Sequence, residues 1–233
     1  MIEAIQSQLV SLSNPEDAVF LQRFFKTGPG QYGEGDIFRG IRVPVLRSLS
    51  KNHQNISLKF VEQLLCSAHH EDRLLALLIL VRKYTHTDET EQAGIYTLYL
   101  DNTRFINNWD LVDTSAEHIV GAYLNDKSRE PIYRLARSIC LWERRIAILA
   151  TFHYIKRGNF DDTLRVAEIL LPDKEDLIHK AVGWMLREIG KREMQKEEVF
   201  LQAYHRQMPR TMLRYAIEKF PQEKRLGYLK KKQ

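Results

Sequence analysis

In Asn107-Asn108-Trp109-Asp110-Leu111-Val112-Asp113 a tryptophan and a carboxylate stand four residues apart. At that spacing both side chains leave the same face of a helix, one turn apart, so an indole plane and a negative charge line a common surface. Asn107 fits the cap of this helix, and Asp110 fits its positively polarised first turn. Asp113 lies beyond that turn, near Val112, Ile119 and Val120. Neither capping nor the helix dipole accounts for it, which leaves Asp113 in want of another role.

The elements around this stretch read as helix after helix, with no convincing strand. Ile2 to Leu12 is a short amphipathic opening, and Asn14-Pro15-Glu16-Asp17 starts a helix that ends near Lys26. Thr27 to Asp36 holds four glycines and a proline in ten residues and is a loop. It lacks the preceding strand and the Lys-Ser/Thr of a P-loop, which argues against a nucleoside triphosphate site. Ile41-Arg42-Val43-Pro44 leads into the next helix, and Ser57 caps one running to about Ser67. Further helices are expected over 71–84, 89–100, 108–124, 131–138, 141–156, 161–171, 174–191, 196–206 and 210–220, followed by a basic tail.

Short helices joined by short connections call for a search for internal repeats. Segments beginning at Arg73, Trp109, Arg145, Lys180 and Thr211 align at spacings of 36, 36, 35 and 31 residues. In a solenoid of helical pairs, equivalent positions line up on one surface. That register brings Trp109, Asp113, Arg145 and Trp184 to one polar and aromatic face, the character of a binding groove. The expected fold is therefore all-α, a right-handed α-α superhelix with a concave groove, in one domain spanning residues 1–233.

Composition limits the function. A hydrophobic fraction of 44% in 233 residues is ample for a packed core. Two cysteines, Cys66 and Cys140, are too few for a disulfide framework or a metal cluster and suit a reducing, cytoplasmic compartment. No signal peptide or membrane span is evident. Charge is uneven: residues 1–116 carry 11 Lys/Arg against 14 Asp/Glu, and residues 117–233 carry 24 against 16. The basic second half suggests an anionic partner, with nucleic acid favoured over lipid. The eight histidines show no ligand pattern, and His69-His70 are adjacent, so no metal site is expected.

Asn108-Trp109-Asp110-Leu111-Val112-Asp113, Trp142-Glu143-Arg144-Arg145-Ile146-Ala147-Ile148-Leu149 and His179-Lys180-Ala181-Val182-Gly183-Trp184-Met185-Leu186-Arg187-Glu188 resemble the AlkD-type bacterial DNA alkylation-repair glycosylases, which are built from HEAT-like repeats. The resemblance runs in register from about Val43 to Phe220, with a weaker fit over Pro209 to Ile217. It implies that Trp109, Asp113, Arg145 and Trp184 line an active cleft, the same four residues that the repeat register selects. It also implies hydrolysis of the N-glycosidic bond of N3- and N7-alkylated purines, such as 3-methyladenine and 7-methylguanine, in duplex DNA.

On this reading Asp113 stabilises oxocarbenium character and orients water, while the two tryptophans pack on the sugar. Arg145 holds the phosphate beside the lesion, and Arg144, Lys180, Arg187, Arg210 and Arg214 are further DNA contacts. With no catalytic lysine evident, the expected enzyme is monofunctional, free of cofactor and metal, monomeric, and cytoplasmic in a bacterium, associated with the nucleoid when bound to DNA. The alternative is a non-catalytic binder of damaged or branched DNA on the same fold. Two departures from the family stand out: a longer, more glycine-rich loop at Thr27–Asp36, and Phe24 where some members have a tyrosine.

Overall fold

A computed structural model describes residues 2–230. The expected all-α fold is present: among the described residues the only β-type pairing is an isolated bridge between Ile37 and His69. Among the described residues no helix is long and apolar enough to cross a membrane. Residue contacts divide the chain into two compact units, 1–119 and 120–233.

The first unit contains α1 (Ile2–Ser11), α2 (Pro15–Phe24), α3 (Val43–Asn52), α4 (Leu58–Leu65), α5 (His70–Tyr84), α6 (Glu89–Asp101) and α7 (Trp109–Ala116). Asn14 caps α2 as its sequence demands, its side chain accepting from the backbone N–H groups of Glu16 and Asp17 at 3.0 and 3.2 Å. Ser57 occupies the N-cap position of α4, but its hydroxyl makes no capping hydrogen bond. Helix α5 is the centre of the unit. It is buried along almost its whole length because α3, α4, α6 and α7 all pack on it. After Ala116 the chain of α7 continues through a π-helical turn, Glu117–Gly121.

The second unit contains α8 (Glu130–Ala136), α9 (Leu141–Ala150), α10 (Phe152–Ile155), α11 (Asp161–Ile169), α12 (Asp176–Gly190), α13 (Met194–Tyr204), α14 (Arg210–Ala216) and α15 (Gln222–Leu229). Here α12 is central, packed by α9, α11, α13 and α14. Two boundaries differ from the sequence expectation. The helix expected over 141–156 breaks at Thr151, whose buried hydroxyl donates back to the Ile148 carbonyl at 2.7 Å and competes with the helical ladder. The basic tail expected after Phe220 forms α15, fastened by the Phe220–Tyr228 ring contact and by Arg210 donating to the Leu229 carbonyl at 2.6 Å. Residues 231–233 of that tail lie outside the described residues.

Among the described residues a device that starts helices appears three times and fixes the repeat. Side chains of Ser67, Ser138 and Asp173 each accept from the backbone N–H two residues on, at 3.2, 3.0 and 2.9 Å. Their carbonyls are in turn satisfied from six residues on, by Arg73 at 3.0 Å, Arg144 at 3.0 Å and His179 at 2.6 Å. Arg73, Arg144 and His179 are each the fourth residue of their helix. The structural register therefore pairs Arg73 with Arg144, one residue away from the alignment made on sequence. Counted the same way, Asp113, Arg145, Lys180 and Arg214 are each the fifth residue of α7, α9, α12 and α14.

Candidate functional site

Trp109 is the first residue of α7, and Asn108, rather than Asn107, is its cap, the side-chain oxygen accepting from the Trp109 N–H at 2.9 Å. The Asn107 amide donates to Asp36 Oδ1 at 3.2 Å. The Trp109 ring stacks on Phe25 at 5.3 Å and meets the edge of Phe24 at 6.1 Å. Its Nε1 donates to the Tyr32 hydroxyl at 3.3 Å. Phe24 carries no hydroxyl for this site, and Tyr32 of the glycine-rich loop presents one to Trp109.

That loop is built for packing. Its amides are taken by its own side chains, Gly28 donating to Gln31 and Gly30 to the carboxylate of Glu34, so they form no cradle for phosphate. Gly33 lies so near the end of α2 that an added Cβ would stand 2.5 Å from the Phe25 carbonyl oxygen. The loop closes on Asp36, which accepts from His70 Nδ1 at 3.1 Å and from Arg73 at 2.6 Å. Burial alone would raise Asp36, but the His70 hydrogen bond and the charges of Arg73 and His70 outweigh it and hold the carboxyl below the usual carboxylate range.

Asp110 sits in the first turn of α7, as expected, and its Oδ2 accepts from His70 Nε2 at 2.8 Å. Burial works against a charged His70, yet Asp110 and then Asp36 overcome it and push the imidazole up to about 9. Between these groups and α2 lies a largely apolar cavity of about 470 Å³, walled by Phe20, Phe24, Phe25 and Trp109 with His70 and Asp110 at its edge. One turn beyond, Asp113 is half-buried. Its charge joins burial in raising the pKa of the Tyr99 hydroxyl, which is hydrogen-bonded to Ser115 at 2.9 Å.

In the second unit Arg145 is only 5% exposed, and it donates to the Leu177 carbonyl of α12 at 2.6 Å. Trp184 is half-buried, tilted against Phe152 at 5.9 Å, with Nε1 donating to Glu188 at 3.3 Å. Glu188 also takes Lys191 at 2.6 Å and Arg192 at 3.1 Å. Burial opposes its ionisation, but the Lys191 and Arg192 hydrogen bonds hold it below its ordinary value.

The remaining cations divide into two groups. Arg144 is paired with Asp173 at 2.6 Å and Arg187 with Glu218, and both side chains are mostly covered. Lys180 pairs with Asp176 at 2.7 Å on the helix surface, where both partners are well exposed. Arg210 and Arg214 are exposed.

The structure thus places Trp109 and Asp113 on one turn of α7 in the first unit. Arg145, Lys180, Trp184, Arg187 and Arg214 lie on the packed helices α9, α12 and α14 of the second. Sequence reasoning missed Tyr32, Asp36 and His70. The signals available were an acid closing the glycine-rich loop and a histidine opening a helix that has no hydroxyl or amide cap.

No curated protein sequence matches the chain. The fold is similar to that of a solved structure described as a predicted DNA alkylation repair enzyme from Enterococcus faecalis, at a TM-score of 0.69 and 17% identity, covering 90% of this chain and 97% of that one. Residues 5–220 match the sequence pattern of the family described as DNA alkylation repair enzymes. With that match spanning nearly the whole length, the chain belongs to the DNA alkylation repair enzyme family.

Proposed function

We propose that the protein is a monofunctional DNA glycosylase that hydrolyses the N-glycosidic bond of cationic N3- and N7-alkylated purines in duplex DNA. The observation that carries this reading is the α7 face: an indole fixed on three sides by Phe24, Phe25 and Tyr32, with the half-buried Asp113 carboxylate one turn on. An alkylated purine is already cationic, so the base leaves with the bonding electrons and becomes neutral without an acid to protonate it. Positive charge then grows on the deoxyribose. A fixed carboxylate stabilises that charge and orients the water whose oxygen bonds to the anomeric carbon, its proton passing to solvent. The face of the Trp109 indole stabilises the same cationic sugar, by about 0.5–2 kcal/mol.

Of the basic residues, Lys180, Arg210 and Arg214 are the better exposed, and we assign them the first contacts with the DNA backbone. Arg145, bonded to the Leu177 carbonyl, is assigned the phosphate beside the lesion, and Arg144 and Arg187, paired with Asp173 and Glu218, are assigned further contacts with DNA. We treat the two units as one HEAT-like domain acting as a cytoplasmic monomer without cofactor. The test is single-turnover release of 7-methylguanine from a duplex carrying one lesion, wild type against Asp113→Asn, with protein in excess. Release by the wild type that the variant loses supports the assignment. Tight binding without release would favour a non-catalytic binder of damaged or branched DNA.

A further inference from the structure

The glycine-rich loop is not used by the chemistry of excision, yet it is among the most firmly tied segments of the first unit. Asp36, 5% exposed, receives four side-chain donors: His70 at 3.1 Å, Arg73 at 2.6 Å, and Asn107 and Asn108 at 3.2 Å each. On the far side of the same imidazole, Nε2 meets Asp110 at 2.8 Å. Each ring nitrogen of His70 therefore faces a carboxylate oxygen. Ionised carboxylates only accept, so both nitrogens must carry protons and His70 is an imidazolium.

The charge balance agrees. From the loop comes Asp36, from α7 Asp110, and from α5 itself Arg73, Glu71 and Asp72. Glu71 is satisfied by the backbone N–H groups of Arg39, Gly40 and Ile41, and Asp72 by the Arg39 side chain. Against Asp36, Asp110 and the uncancelled charge of Glu71, Arg73 supplies one positive charge and a protonated His70 a second. Phe38 and Phe25 cover the ring at 4.5 and 5.0 Å, and His70 is 1% exposed, so water does not take over either bond.

We propose that His70 is a positioning residue for the excision site. The Asp36–His70–Asp110 bridge locks the glycine-rich loop to the first turn of α7, so that Tyr32 and the phenylalanines at the end of α2 hold the Trp109 indole, and the Trp109/Asp113 face with it, in one orientation. The kinetic part of this inference rests on the glycosylase reading; the positioning part does not. His70 is held protonated up to about 9, so the bridge is intact at neutral pH and loosens only on the alkaline side. Removing the charge of one acceptor brings that loosening toward neutrality, by about 1–3 pH units for a partner this close.

The experiment uses the full chain and Asp110→Asn, which keeps shape and removes charge. Two quantities are followed against pH: single-turnover release of 7-methylguanine, and by NMR the His70 ring signals together with the Trp109 indole N–H, assigned with Trp109→Phe. The inference expects the alkaline limb of the wild-type excision profile to move acidward in the variant by about one unit or more, so that the gap between the two widens with rising pH. It also expects the Trp109 N–H shift to follow the His70 titration in both proteins. Tyr32→Phe, which removes one hydroxyl and leaves the core intact, should shift the Trp109 N–H and slow excision by several-fold.

Superimposable pH profiles, or a Trp109 signal indifferent to His70 titration, would overturn the proposal. Should the wild type release no base at any pH, the glycosylase reading fails. The coupling of the Trp109 signal to His70 still decides whether the bridge positions the indole.

Discussion

Gly183 and Met212 pack backbone to backbone: a Cβ added at Gly183 would lie 2.4 Å from the Met212 carbonyl oxygen and 2.5 Å from Cβ of Tyr215. This contact sets how closely α12 approaches α14, and with it the placement of the neighbouring Trp184. Because the obstructing atoms are backbone and Cβ, no flexible side chain can move aside. Gly183→Ala should therefore destabilise the chain by about 1–3 kcal/mol, seen as a fall of roughly 2–12 °C in Tm by calorimetry. An unchanged Tm would mean that the two helices can separate freely.

Asp113→Asn is expected to slow excision of 7-methylguanine by about 10²–10³-fold in single turnover while the Kd for the same duplex changes by less than about threefold. The reasoning is electrostatic, since Asn preserves shape and loses the charge that matters only as the sugar becomes cationic. Asp113 is half-buried, so Tm should move little. Equal losses in binding and rate would instead assign Asp113 to holding DNA.

Glu197 supplies a stability prediction unconnected with excision. It is 1% exposed and packed against Gly190, and its Oε1 has no hydrogen-bond partner. Burial, with Glu198 adding like charge and Arg187 opposing more weakly, pushes its carboxyl up to about 8. The unfolded chain ionises Glu197 at an ordinary carboxylate pKa, so between there and about 8 the folded state holds a proton that the unfolded state has released. Stability from this group accordingly falls as pH rises through that window and levels off above about 8. Glu197→Gln should remove the slope: its Tm advantage over the wild type grows from pH 5 to about pH 8. A constant difference across that range would contradict the buried, protonated carboxyl.

Much of the fold could be read from sequence because it is written locally. The Asn14-Pro15 start of α2, the continuous apolar run of α5 and the apolar periodicity of α12 each act within a few turns. The repeat was visible but its register was not: Arg73, Trp109, Arg145, Lys180 and Thr211 align on sequence, yet in their helices they are the fourth, first, fifth, fifth and second residues, so only Arg145 and Lys180 keep their match, and Arg144 and Arg145 are interchangeable in a string of letters. Only the bonds of Arg144 to the Ser138 and Ile139 carbonyls show which of them matches Arg73. For the site, Trp109 and Asp113 were legible from helical spacing. The Asp36–His70–Asp110 bridge was not, because its partners are 34 and 40 residues apart and each has a bland local role as loop end, helix start or first-turn acid. Thr151 misled for a related reason: a threonine inside an apolar run reads as helix until its hydroxyl is seen bonded to the Ile148 carbonyl.

The contacts assigned to the DNA backbone make a prediction that depends on salt. Lys180 and Arg214 are each the fifth residue of a helix, α12 and α14, and these two helices pack together. Lys180 pairs with Asp176 at 2.7 Å in an exposed pair, the kind that contributes little to stability and is readily exchanged for a phosphate. If both side chains neutralise a phosphate, each releases counterions on binding. Lys180→Ala and Arg214→Ala should then each reduce the slope of log Kd against log salt by about one, weaken binding uniformly across sequences, and leave Tm within about 1–2 °C of the wild type. Lowered affinity with an unaltered salt slope would place these residues away from the backbone and return the assignment to Arg145, Arg144 and Arg187.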